Sequence, residues 1–255
     1  MRRAAAWVFV FAATEEKMIN ELLLVFVMAV LYGMVLVAYR FAGLSGLMCY
    51  NVFIVIVANI EVLMLVDAFG MEMTLGNVLF ATTFLVTDII SETSGKKAAR
   101  QAVLTGMGAS LLFIVISETW MRYMPSANDW AAPAMRELFA HTPRLMAASF
   151  IVYVISQYFD IWLYHKFWAL TTARTGDARR LLWVRNASTL ASQFVNTALY
   201  TLLAFGGMYD WPTLRSILIS TYAIYVVLSF CDTPVIYLAR RMNRENKSIA
   251  QPPKF

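Results

Sequence analysis

Apolar residues gather along the chain in seven stretches, near residues 20–40, 47–67, 75–91, 98–118, 145–165, 188–207 and 214–238. Each approaches the roughly 20 residues that a helix needs to cross a bilayer. The polar interruptions between them are short, and the longest, about 119–144 and 166–187, keep aromatic residues. The pattern therefore predicts one integral α-helical unit rather than an anchor on a soluble domain. A further apolar run, Ala4 to Ala13, is too short to cross in helical form; it reads as an interfacial helix, a signal-like start, or residues ahead of a start at Met18. Small residues four apart, Ala29 with Gly33 and Gly106 with Ser110, either permit close helix contacts or fall so by chance.

Composition sharpens this reading. Of 255 residues, 60% are hydrophobic and only 15% charged, with a mean hydropathy of +0.62, against about 25% charged in an ordinary soluble domain. The net charge of +5 speaks first to orientation in the membrane and gives no ground for a nucleic-acid partner. On a seven-span layout, Lys and Arg favour one side two to one, which places the C-terminus in the cytoplasm and the N-terminus outside; the basic residues Arg2, Arg3 and Lys17 fit this poorly. Cys49 and Cys231 lie in apolar runs, as packing thiols do. His141 and His165 have no carboxylate or thiolate at metal-ligand spacing, so neither a metal nor another cofactor is expected. The chain also lacks a phosphate-binding loop, so any ATP that drives it would be bound by another protein.

Polar residues inside the spans carry the functional signal, because an ionisable group near the centre of a membrane helix costs at least about 2.5 kcal/mol on insertion scales. They are Asn59 and Glu61 in the second span, Asp88 in the third, Gln157 and Asp160 in the fifth, Gln193 and Asn196 in the sixth, and Asp232 in the seventh. No Lys or Arg lies deep in a span beside them. At about 1.5 Å per residue, Asp88 falls about 5 Å from the cytoplasmic end of its span, Asp160 and Gln193 about 8 Å, and Asp232 about 9 Å. One polar cavity in the cytoplasmic half follows as an expectation, with Asn59 and Glu61 nearer its middle or outer part. Helical spacing adds two stripes: Thr189, Ser192, Gln193, Asn196, Thr197 and Tyr200 in the sixth span, and Tyr153, Gln157, Asp160 and Tyr164 in the fifth. Such stripes also arise from interhelical hydrogen bonding alone. Glu92, one turn beyond Asp88, is near the water boundary, where it could simply offset Lys96 and Lys97. Pro234 either breaks its helix beside Asp232 and Thr233, as in solute sites, or merely terminates it. His165 reads as an interfacial residue.

The run Phe84-Leu85-Val86-Thr87-Asp88-Ile89-Ile90-Ser91-Glu92, followed by Gly95-Lys96-Lys97-Ala98-Ala99-Arg100, resembles the signature of the bacterial queuosine-precursor transporters, within the vitamin uptake transporter superfamily. Supporting blocks follow in order: Gln157 to Asp160, Arg185-Asn186 through Ser188-Thr189 to Ser192-Gln193, and Asp232-Thr233-Pro234 with Tyr237. The resemblance covers about residues 47–242. It implies a six-helix importer of 7-deazaguanine bases, the cyano and aminomethyl precursors of the tRNA nucleoside queuosine, with both termini of the core cytoplasmic. Segment 1–46 would then be a tail and an additional N-terminal transmembrane helix, and 243–255 a cytoplasmic tail, all in an inner (plasma) membrane. The substrate-binding set it suggests, with the span residues, is Asp88, Glu92, Gln157, Asp160, Asn186, Gln193, Asn196, Asp232, Thr233 and Asn59. A carboxylate can accept the ring N–H and exocyclic amine of a guanine-like edge, and Asn or Gln can serve the remaining groups. Tyr153, Tyr200 or Trp162 could stack on the ring or on a cation. The chain departs from the family at Asn196, where an acid is common, and at Leu63 and Tyr225, where Lys is common.

Three functional classes meet these residues. A solute carrier is the leading one. The alternative is the substrate-capturing subunit of an energy-coupling-factor importer, partnered by a shared ATPase, for a related base or vitamin. A membrane enzyme is disfavoured, since no metal cluster, nucleophile with an adjacent His, or phosphate loop occurs.

Overall fold

The computed structural model describes the backbone of residues 2–140, 143–175 and 181–249 and the side chains of 18–71, 73–139, 144–170 and 186–243. His141 and the side chains of Arg2, Arg3, Lys17, Arg174, Arg179, Arg180 and Arg185 lie outside the described residues, as does the tail beyond 249. Seven helices and one small hairpin follow in order: α1 (Arg2–Glu61), β1 (Leu65–Ala68), β2 (Met71–Thr74), α2 (Gly76–Ser94), α3 (Lys96–Trp120), α4 (Ala132–Ala140), α5 (Pro143–Thr175), α6 (Leu181–Phe205) and α7 (Trp211–Ile249).

The first two predicted spans are the two arms of α1, divided at Gly43, whose φ of 55° interrupts the helix. The arms fold back on each other. Tyr50 donates to the Leu31 carbonyl at 2.9 Å, and the start of the first arm meets the loop after the second, where Asn20 donates to Asp67 O at 3.1 Å. The second arm ends at Glu61, short of the expected residue 67. Residues 65–74 instead form an antiparallel hairpin, with Ala68 opposite Met71. Its two-residue turn holds Phe69 and Gly70 at φ 53° and 73°, the positive pair that matches the natural twist of strands. Hydropathy averaged over a helical window cannot register so short a device.

Four helices among the described residues are long and apolar enough to cross a membrane: Met18–Glu61 in α1, Lys96–Trp120, Arg144–Leu170 in α5 and Trp211–Asn243 in α7. Helix α2, which is not among them, packs against α1, α3, α5 and α7 with nearly its whole length buried. Large apolar side chains such as Phe26, Phe41, Phe53, Leu112 and Val227 point outward, while Thr82, Thr87, Asp88, Gln157 and Ser192 are buried. That inverted arrangement is the one expected of a bundle in lipid.

Three expectations are revised. Helix α7 neither breaks nor stops at Pro234 but runs through it to Ile249; the proline ring is on the exposed side. Ala29 and Gly33 face outward rather than into a helix contact, whereas Gly106 and Ser110 are buried against α1 and α5. Cys49 is also exposed rather than packed, while Cys231 is partly buried; both are free thiols. At the far end of α6, Arg144 donates to Leu203 O at 2.9 Å and to Gly206 O at 2.5 Å, a cation on carbonyls that the helix leaves unpaired.

Candidate functional site

A carbonyl-bonding run of threonines lets α2 bring polar groups into the bundle centre. The Thr82, Thr83 and Thr87 hydroxyls donate to Val78 O at 2.9 Å, Phe80 O at 2.7 Å and Phe84 O at 3.0 Å, which satisfies them within the helix. Gln157 of α5 then bridges across, donating to Thr83 Oγ1 at 2.6 Å and accepting from Thr87 at 3.0 Å. The next residue of α2, Asp88, accepts from Thr189 of α6 at 3.1 Å. Asp160 of α5 accepts from Ser192 of α6 at 2.6 Å. Thr189 and Ser192 are three residues apart, so a single turn of α6 holds both carboxylates. Ser156 of α5 donates to Asn196 Oδ1 at 3.0 Å. Gln193 is buried in the same stripe, with Oε1 lacking a partner.

The three helices α2, α5 and α6 thus hold Asp88, Gln157, Asp160, Gln193 and Asn196 in the buried interior, the last four of them members of the two stripes read from the sequence. The remaining nominated residues have other surroundings. Glu92 does more than offset the following lysines: it forms an ion pair with Arg240 of α7 at 2.7 Å and accepts from Tyr164 of α5 at 2.5 Å. Thr233 of α7 donates to Asn186 Oδ1 of α6 at 3.3 Å. Asp232 accepts from Tyr32 in the first arm of α1, so its carboxylate ties the N-terminal helix to α7. Asn59 bonds Val55 O at 2.7 Å and Ser110 Oγ of α3 at 3.1 Å, an interhelical bond away from the cluster. The aspartates expected to be unpaired thus each accept from a hydroxyl, Asp88 from Thr189, Asp160 from Ser192 and Asp232 from Tyr32, partners 32 to 200 residues away that are invisible along the chain.

Two of the suggested stacking residues are elsewhere. Trp162 is exposed, stacks on Phe159 with centroids 5.9 Å apart, and has Lys166 Nζ 4.6 Å from its ring. Tyr153 is buried, but its hydroxyl accepts from Asn51 of α1 at 3.3 Å. Sequence reasoning passed over Asn51, which also donates to Ala102 O of α3 at 3.0 Å; its interruption of an apolar run was the available signal. Among the positions that depart from the resembled family, Asn196 and Tyr225 line one small cavity.

Comparison with known proteins bears on this arrangement. A family profile described as putative vitamin uptake transporter matches residues 74–239, a range that holds every nominated residue except Asn59. The chain is 32% identical over 226 residues to a probable queuosine precursor transporter of Bacillus subtilis (strain 168), covering 88% of this chain and 96% of the relative. A match of that length does not fit within residues 47–255, so it takes in part of the N-terminal segment. No solved structure matches the chain.

Proposed function

The chain belongs to the putative vitamin uptake transporter family, and from that premise we propose that it imports queuosine precursors, 7-cyano-7-deazaguanine or 7-aminomethyl-7-deazaguanine, across the inner membrane for tRNA salvage. The observation that carries this reading is the buried cluster at α2, α5 and α6, in which Asp88, Gln157 and Asp160 sit among hydroxyls inside an apolar bundle. Such a cluster presents acceptors for the donor-rich edge of a guanine-like base. In this reading α1 contributes the additional N-terminal helix, the second arm of α1 with α2, α3, α5, α6 and α7 forms the six-helix core, and the C-terminus is cytoplasmic.

The test is queuosine in the tRNA of cells that can neither make nor import its precursors, supplied with limiting external base. Expression of this chain alone restores queuosine, and Asp88→Asn or Asp160→Asn lowers uptake at least tenfold at normal membrane abundance. Failure of the wild-type chain, with its presence in the membrane confirmed, would overturn unaided import; full activity in either variant would remove that carboxylate from the site.

A further inference from the structure

A second polar space lies at the end of the bundle opposite Lys96, Lys97, Arg240 and Arg241. It is a cavity of about 350 Å³ between the β1–β2 hairpin, the last turns of α6 and the first turns of α7, within the size range of small-molecule sites. Its floor, Asn77 and Tyr200, is shared with a narrow pocket of about 20 Å³ that also touches Ser149, Asn196 and Tyr225. Two of these groups stand out: Ser149 Oγ and the Tyr200 hydroxyl are buried beside one another, and neither makes a hydrogen bond of good geometry. A buried hydroxyl without a well-formed hydrogen bond is a costly arrangement, and one found where a ligand completes it.

The walls suit a planar ligand. Tyr200, Phe205 and Tyr209 form an aromatic ladder, with successive centroids 5.8 and 6.0 Å apart. Facing it, Thr213, Ser216, Ser220 and Thr221 line one face of α7. Among the described residues, no Asp, Glu, Lys, Arg or His lines either space. The pocket also connects to the central cluster, since Asn196, at its inner end, accepts the hydrogen bond from Ser156.

We propose that this cavity is the entry site of the carrier, which receives an uncharged planar base on the Tyr200–Phe205 ladder and completes the Ser149 and Tyr200 hydroxyls at the base's inner edge. The proposal rests on the import reading. It makes the neutral cyano base the preferred ligand, because an ammonium in this lining would exchange its water for hydroxyls and amides, with no carboxylate among the described lining residues to pair it.

Thr213→Cys, made with Cys49→Ser and Cys231→Ser, puts a thiol on the exposed rim of the cavity. In intact cells a membrane-impermeant maleimide labels it, and saturating 7-cyano-7-deazaguanine slows labelling at least fivefold, with the aminomethyl base protecting less. Tyr200→Phe, which removes only the hydroxyl, raises the uptake KM about tenfold and leaves the maximal rate near wild type. Absence of protection overturns the entry site whatever uptake shows, because labelling reads binding alone. Equal protection by both bases overturns the preference for a neutral ligand. Absence of uptake with protection intact overturns the transport reading instead.

Discussion

Asn51 shows how a single side chain sets the spacing of three helices. It donates to Ala102 O of α3 and to Tyr153 of α5 from its place on α1, and the space it needs exists only because α3 carries a glycine there. A Cβ on Gly106 would lie 2.2 Å from the Tyr153 hydroxyl and 2.9 Å from Asn51 Nδ2. Gly106→Ala is therefore expected to destabilise the protein by about 1–3 kcal/mol, the usual range for overpacking, read as a lower unfolding temperature in detergent. Gly108→Ala, in the same helix with nothing within 4 Å, should leave stability unchanged or slightly raised. The spacing of Gly106 and Ser110 was legible in the sequence, but not what each touches: Gly106 makes room for a hydrogen bond between α1 and α5, and Ser110 receives Asn59. In the same way Asp88, Gln157 and Asp160 stood out against apolar spans, whereas Ser149 did not. A serine in a helix is unremarkable until the fold buries its hydroxyl beside that of Tyr200 with no well-formed hydrogen bond.

Helix junctions depend on two unlike devices. Gly95, between α2 and α3, has φ 86° and ψ 175°, and its N–H reaches back to Ile90 O at 3.0 Å. Nothing surrounds its Cβ position, so Gly95→Ala tests backbone conformation alone; a loss of about 1–2 kcal/mol is expected from the positive φ, measured by the same unfolding assay. The Glu92–Arg240 pair works by long-range contact. Glu92 is nearly enclosed and Arg240 partly so, with side-chain exposures of 7% and 22%, and Tyr164 adds a third helix to the clamp. A double-mutant cycle with Glu92→Gln and Arg240→Met should give a coupling energy of about 0.5–3 kcal/mol; additivity of the two substitutions would assign the pair no stabilising role. Glu92 was conspicuous in the sequence beside Asp88, yet its partner was only one of many basic residues past the last span. The hydroxyl face at Thr213, Ser216, Ser220 and Thr221 was readable by helical spacing, but the apolar average of its span concealed it.

Across the whole molecule, charge and cavity define two unlike ends. The end with Lys96, Lys97, Arg100, Arg240 and Arg241 should face the cytoplasm, and the hairpin end the opposite side. A cysteine at Met208, in the exposed turn between α6 and α7, is expected to react with impermeant reagent in intact cells, and one at Lys97 only after permeabilisation; the reverse result would invert the orientation and turn the entry cavity into an exit. The sequence by itself determined that the chain is a helical membrane protein, roughly where its helices run, and that polar groups on the third, fifth and sixth spans share faces. Those features follow from local periodicity and from the cost of polar groups in lipid, both of which act residue by residue along the chain. Only the tertiary structure decided the rest: that Asp232 meets Tyr32, that α1 folds back at Gly43, that a hairpin takes the place of the last turns of the second span, and that Asn77, Ser149, Asn196, Tyr200 and Tyr225 converge. Each depends on which helix faces stand opposite one another, and in a bundle that is settled by the packing of distant segments together.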